Sequence, residues 1–180
     1  YKKTNNMPLV LTYTNKDVDS INSTIRDYLV KNNRLGDGYV FETHKGNKAF
    51  CVGEKIICLE NDAVSGVKNG TIGVIQKIDD KTIFLKSDGK VFKVDLEKYK
   101  KIDYGDGVTI HKAQGMTVDD SVFYVNGKNL SSNLVYVALS RHKDNINIIV
   151  NKIKINDIRL LGNKVDVNLE KYYGNSFSKN

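Results

Sequence analysis

Strand-then-helix patterning at both ends of the chain, around a middle of short β-type runs, constrains the fold more than any other feature. Leu9-Val10-Leu11-Thr12-Tyr13 is a brief apolar run followed at once by Thr14-Asn15-Lys16-Asp17, a hydroxyl-x-x-acid pattern of the capping-box kind. From there Val18, Ile21, Ile25 and Leu29 recur at helical spacing, leaving Lys16, Arg26 and Lys31 to point elsewhere. That helix should end between Asn33 and Gly36. Thr14 and Asn15 then fall where a strand's carboxyl end meets a helix amino terminus, the usual place for binding residues in an open α/β sheet. A plain cap with no ligand explains the same two residues.

Between about Tyr39 and Lys101 the character changes. Cys51 to Leu59, Thr71 to Ile75, Thr82 to Lys86 and Lys90 to Val94 are short β-type runs separated by turn residues, as in a small barrel or meander. Val67-Lys68-Asn69-Gly70 and Ser87-Asp88-Gly89 carry hairpin signals. Lys68, Lys77, Lys81 and Lys86 suit a basic face for nucleic acid, and equally suit solvated edge positions that block aggregation. After Lys101 the alternation resumes, with a strand at Ser121 to Val125, a helix capped by Ser131 or Ser132 with Leu134, Val135, Ala138 and Leu139 inward, and a strand at Ile146 to Val150. One parallel-sheet domain interrupted by a β-rich insertion accounts for both halves.

The most reactive-looking stretch is Val108 to Asp119. Thr109, His111, Lys112 and Gln114 crowd into a few residues closed by Gly115, which suits a short polar turn, capped by Thr109, aimed at phosphates or bases. A net charge of +7 favours a polyanionic partner, although abundant Asn and Lys also follow from biased codon usage. No apolar run approaches the roughly 18 residues needed to span a bilayer, and a cytoplasmic location is expected. Cys51 and Cys58 lack metal-ligand or redox spacing and read as buried thiols, so a metal site is not expected. Arg141, emerging from an apolar helix, suits charge stabilisation in phosphoryl transfer; pairing with the negative helix end is the plainer reading. The chain begins without Met and is expected to be a piece of a longer polypeptide.

Thr109-Ile110-His111-Lys112-Ala113-Gln114-Gly115-Met116-Thr117-Val118-Asp119 resembles motif V of superfamily 1 helicases, and Leu134-Val135-Tyr136-Val137-Ala138-Leu139-Ser140-Arg141 resembles their motif VI. Leu11 to Asn15, with Asn22 and Arg26, is similar to the motif IV region of the RecD-like branch. Gly53-Glu54-Lys55, Leu59 to Asp62, Gly66 to Gly70 and Gly73 resemble the inserted barrel of TraA-type conjugative relaxase-helicases. The similarity covers about residues 7 to 151.

The resemblance implies a RecA-like parallel sheet with helices on both faces (residues 1–46 and 102–155), interrupted by a small Src-homology-3-like β-barrel (47–101) and followed by a C-terminal extension (156–180). It implies part of an ATP-dependent DNA helicase, a P-loop NTPase, within a bacterial conjugative relaxase. Arg141 would be the arginine finger, Gln114 and Gly115 would lie on the nucleotide side, and Thr14, Asn15, Thr109, His111 and Lys112 would meet single-stranded DNA. His111 would be a contact or relay residue, exposed and without a catalytic partner. Gly46-Asn47-Lys48, Gly89-Lys90 and Gly127-Lys128 do not make a Gly-x-x-x-x-Gly-Lys-Ser/Thr loop, and a strand ending in paired acids suited to hold Mg2+ is not expected. ATP and Mg2+ are therefore expected to be held mainly by a first motor domain elsewhere in the same polypeptide, with the chain alone inactive. A RecD-like repair helicase and a non-catalytic single-stranded DNA-binding or protein-docking module are the alternatives.

Overall fold

The computed structural model describes residues 8–127 and 132–151. In chain order the elements begin with β1 (Leu9–Thr12), α1 (Asn15–Lys31), β2 (Gly38–Thr43), β3 (Gly46–Cys51) and β4 (Lys55–Cys58). There follow β5 (Ile72–Asp79), β6 (Thr82–Ser87), β7 (Lys90–Asp95), β8 (Ile102–Tyr104) and β9 (Gly107–Thr109). Last come β10 (Val118–Val125), α2 (Ser132–Leu139) and β11 (His142–Val150). The chain divides into two compact units, one of residues 1–18 and 108–180, the other of residues 19–107. Among the described residues no helix is long and apolar enough to cross a membrane.

The first unit is built on a four-stranded sheet in the order β11-β10-β1-β9. β1 runs parallel to β10, with Leu9 opposite Ser121 and Leu11 opposite Phe123, and β10 runs parallel to β11, with Phe123 opposite Ile148. Parallel strands need crossover connections, and the helical periodicity read at both ends of the chain supplies them. Leu9, Leu11, Phe123, Val125, Ile146, Val135 and Ala138 are buried apolar residues of this unit. The expected strands are present, longer than read at β10 and β11. The side chains of Ser131 and Ser132, and the strand or helix anticipated near Ile158 to Leu161, lie outside the described residues.

Both ends of α1 follow from local chemistry. Thr14 Oγ1 accepts a hydrogen bond from Asp17 N at 3.1 Å and donates to the Asp17 carboxylate at 2.7 Å, closing the amino terminus. At the other end Arg34 N donates to Leu29 O (2.9 Å) and Asn33 N to Val30 O (3.0 Å), with Asn33 at φ 51°. That is a Schellman stop made with Asn in the left-handed position. One detail differs from the expected face: Arg26 does not point away. It lies one turn beyond Asn22 on the buried stripe, and both make long-range polar contacts.

The second unit contains an antiparallel five-stranded sheet, β7-β6-β5-β4-β8, and the separate β2-β3 hairpin. Their inner residues share one apolar cluster: Phe41 and Phe50 from the hairpin join Ile56, Ile75, Ile83, Leu85, Val94 and Ile102. Asp88-Gly89 makes the two-residue turn between β6 and β7, both residues at positive φ, as that sequence signals. Asn69-Gly70 instead closes a longer connection, 59–71, in which Gly70 N donates to Cys58 O and Asn69 N to Asn61 Oδ1. Gly105 is required by proximity: a Cβ there would sit 2.6 Å from the Ile56 carbonyl carbon. Cys51 and Cys58 are buried free thiols.

Buried polar groups in the second unit are paired among themselves. Glu54, 2% exposed, accepts from Arg26 Nε at 2.8 Å and from Cys51 N at 2.8 Å. Burial pushes the Glu54 carboxyl up, against the opposing pull of the Cys51 amide and Arg26. Asn22 donates from Nδ2 to Tyr104 O (3.2 Å) and Gly107 O (3.1 Å) and accepts from Gly107 N (2.7 Å). Burial raises Asp103 too, but Lys45 and Lys48 outweigh it and hold the carboxyl below its ordinary range. Asp106 is less well served. It is 3% exposed, its Oδ1 has no hydrogen-bond partner, and burial lifts its pKa to about 6 despite the attraction of Lys55.

Candidate nucleic-acid and nucleotide interface

In the first unit the chain leaves β9 into a turn that occupies residues 110–115. Thr109, almost fully buried, accepts from Lys112 N through Oγ1 (3.2 Å) and from Ala113 N through its carbonyl (3.0 Å). The expected cap is therefore formed, though the segment closes as turns and not as a regular helix. Ile110 N donates to Thr12 O at 2.9 Å, which ties the turn to the end of β1. Ile110 and Ala113 are fully buried anchors, and Gly115 ends the turn at φ 88°. His111, Lys112, Gln114 and Gly115 are left exposed between those anchors. The result is a rigid backbone presenting polar side chains to solvent.

His111 is exposed as anticipated, and its ring neighbour is aromatic: the Tyr13 ring lies 6.5 Å away, tilted by 44°. Thr14 and Asn15 are also exposed, but the Thr14 hydroxyl is committed to the helix cap, so the plainer reading of Thr14 describes what its side chain does here. The acid of that cap reaches further. Asp17 Oδ1 accepts from Asn126 Nδ2 (2.5 Å), and Asn126 Oδ1 accepts from Asn151 Nδ2 (2.9 Å). Asn126 follows β10 and Asn151 follows β11, so a polar chain runs along the carboxyl ends of three parallel strands. Sequence reasoning missed both asparagines, although each directly follows an apolar run ending in Val.

Arg141 stands just beyond α2. Its Nε donates to Val137 O (3.0 Å), Nη2 to Ser140 Oγ (2.9 Å) and Nη1 to Met116 O (3.3 Å), while its own carbonyl accepts from Val118 N (2.9 Å). The guanidinium satisfies the carbonyl end of α2, as the plainer reading held. It also binds the segment that follows the exposed turn. Thus the structure brings Arg141 together with residues 116–118, whereas Thr14 and Asn15 stand at the amino end of α1, next to Tyr13.

In the second unit the proposed basic face is partly neutralised. Lys77 pairs with Asp79 at 2.7 Å and Lys81 pairs with Glu97; Lys68 and Lys86 are exposed. The buried carboxyls Glu54, Asp103 and Asp106, whose pKa values are all shifted, lie in this unit.

These arrangements can be set beside known proteins. A model of the viral superfamily 1 RNA helicase core domain matches residues 55–150. The chain belongs to the superfamily 1 helicases. This helicase domain is 34% identical over 144 residues to the conjugal transfer protein TraA of Agrobacterium fabrum, a match covering 78% of the chain and 13% of that protein. It is 25% identical over 169 residues to the RecBCD enzyme subunit RecD of Buchnera aphidicola, covering 84% of the chain and 27% of that protein. In fold it is similar to a Pif1 helicase from Bacteroides solved in complex with ADP-AlF3 and ssDNA, with TM-score 0.60 and 22% identity over 89% of this chain and 45% of that one. The helicase domain thus spans a small share of the length of the curated relatives it matches.

Proposed function

We propose that this helicase domain is the second RecA-like motor of an ATP-dependent DNA helicase acting in conjugative transfer, supplying Arg141 as arginine finger and residues 109–112 as part of a single-stranded DNA track. The observation that carries the reading is the bond from Arg141 Nη1 to Met116 O, which joins the would-be finger to the segment leaving the exposed turn. The greater identity to conjugal transfer proteins than to RecD favours transfer over repair.

The residues present fit one side of a triphosphate. Arg141 offers a planar fork of donors at a half-buried position, and Gln114 and Gly115 are exposed on the turn, while the sequence has no Gly-x-x-x-x-Gly-Lys-Ser/Thr pattern. ATP with Mg2+, held mainly by the first motor domain of the same polypeptide, supplies the cleavable phosphoanhydride. To meet its γ-phosphate the guanidinium gives up the carbonyls of Val137 and Met116. Losing the Met116 contact releases one restraint on the chain after Gly115, so a change at the nucleotide is felt at the residues assigned to DNA. Thr109 holds the turn, while His111 and Lys112 face the strand. On this reading residues 47–101 are the counterpart of the family's inserted Src-homology-3-like barrel, which guides or separates strands; the apolar cluster shared by strands β3 to β7 supports that assignment.

The test is Arg141→Ala in the intact parent enzyme. DNA-stimulated ATP hydrolysis should fall by about 10³-fold or more with single-stranded DNA affinity largely retained. Turnover within a few-fold of the unaltered enzyme would remove Arg141 from the chemistry.

A further inference from the structure

Tyr13 is held in a way that its own packing does not explain. Thr12 before it is fully buried, with its carbonyl fixed by Ile110 N, and Thr14 after it is locked into the α1 cap. Between these two anchored neighbours the Tyr13 side chain is 42% exposed, with its ring beside that of exposed His111. A flat aromatic surface is therefore presented to solvent on an immobilised backbone, and Lys112 next to His111 places a cation on the same turn.

Resting on the single-strand track proposed above, we infer that Tyr13 is a base-stacking residue of that track, with His111 as the ring that sets its tilt and Lys112 as the adjoining phosphate contact. Every nucleobase has a π-face, so a stacking platform holds a strand without reading its sequence. Tyr13 and His111 are 6.5 Å apart, already within the range of a contacting aromatic pair. A base accordingly lies on the open face of Tyr13 and not between the two rings. The ligand is single-stranded nucleic acid with its bases unpaired, since a paired and stacked base offers no free face.

The experiment compares two labelled probes on the full chain: an oligothymidylate, and a strand of equal length in which abasic sugar-phosphate replaces every nucleotide. Tyr13→Ala should weaken oligothymidylate binding on the order of tenfold or more, Tyr13→Phe should keep it, and affinity for the abasic strand should be the same for all three proteins. Because the chain contains no Trp, Tyr13→Trp installs a single reporter whose fluorescence should be quenched by oligothymidylate and unaffected by the abasic strand. Equal losses on both probes, unaltered oligothymidylate binding by Tyr13→Ala, or indole fluorescence that stays unquenched when the Tyr13→Trp chain binds oligothymidylate would each overturn the stacking role. If the unaltered chain bound neither probe, the single-strand track itself would fall, and the stacking role with it.

Discussion

Polar side chains are used in opposite ways by the two compact units. In residues 19–107 the buried polar groups are matched within the unit: Glu54 with Arg26, Asp103 with the more exposed Lys45 and Lys48, Asn22 with the backbone of Tyr104 and Gly107. Among the described residues of the other unit the buried anchors are mainly apolar or committed to backbone caps, and His111, Lys112, Gln114 and Tyr13 are offered to solvent. Groups that satisfy one another cannot also bind a ligand without leaving a buried charge or amide exposed to an apolar environment. The contrast predicts a division of consequences: substitutions in the first list should damage stability and leave nucleic-acid affinity alone, and substitutions in the second should do the reverse.

Asn22→Ala is the strongest way to break that division. It removes both acceptor and donor for Gly107 and strands a buried backbone N–H, so urea unfolding should show a loss of about 3 kcal/mol. A chain that lost less than about 0.5 kcal/mol on the same scale would mean that the Gly107 amide finds another partner and that inward matching is not what holds this unit.

Asp106→Asn tests the same unit from its one imperfect member. Below the ordinary carboxyl value of 3.8 Asp106 is protonated in both folded and unfolded chains, and its burial carries no ionic penalty. As pH rises the unfolded carboxyl ionises first while the buried one keeps its proton to about 6, so the unaltered chain loses stability across that window and carries the full penalty above it. Replacing Asp106 by Asn should therefore stabilise the chain by about 1–3 kcal/mol at pH 8, a gain that fades toward pH 4. Urea midpoints at the two pH values check the sign; a variant less stable than the unaltered chain at pH 8 would show that the Lys55 attraction wins.

What the sequence made legible was chemistry confined to a few neighbouring residues. The Thr14 to Asp17 cap, the Asp88-Gly89 turn and the Thr109 cap all depend on partners within three residues, and all are present. Helical spacing puts Arg26 on the outer face because it cannot distinguish an exposed Arg from one drawn inward by a distant acid, here Glu54, 28 residues away. Asn126 and Asn151 meet only because β10 and β11 align in parallel, and Tyr13 becomes notable only once the turn after β9 brings His111 beside it. The motif residues themselves were visible, while the parked position of Arg141 on Val137 and Met116 required three dimensions.

The smallest expected effect lies on the other side of the comparison. Lys112 is exposed and its backbone, not its side chain, is what Thr109 holds, so Lys112→Ala should leave the unfolding midpoint within about 0.5 kcal/mol of the unaltered chain. On single-stranded DNA the side chain's work is one phosphate contact. Removing it should weaken binding uniformly across base sequences and make the slope of log affinity against log salt shallower by about 0.7, the counterion released per contact on a single strand. A salt series with the unaltered and altered chains measures both quantities. An unchanged slope would place Lys112 off the track even if the affinity fell, because a lost phosphate contact cannot leave counterion release unaltered.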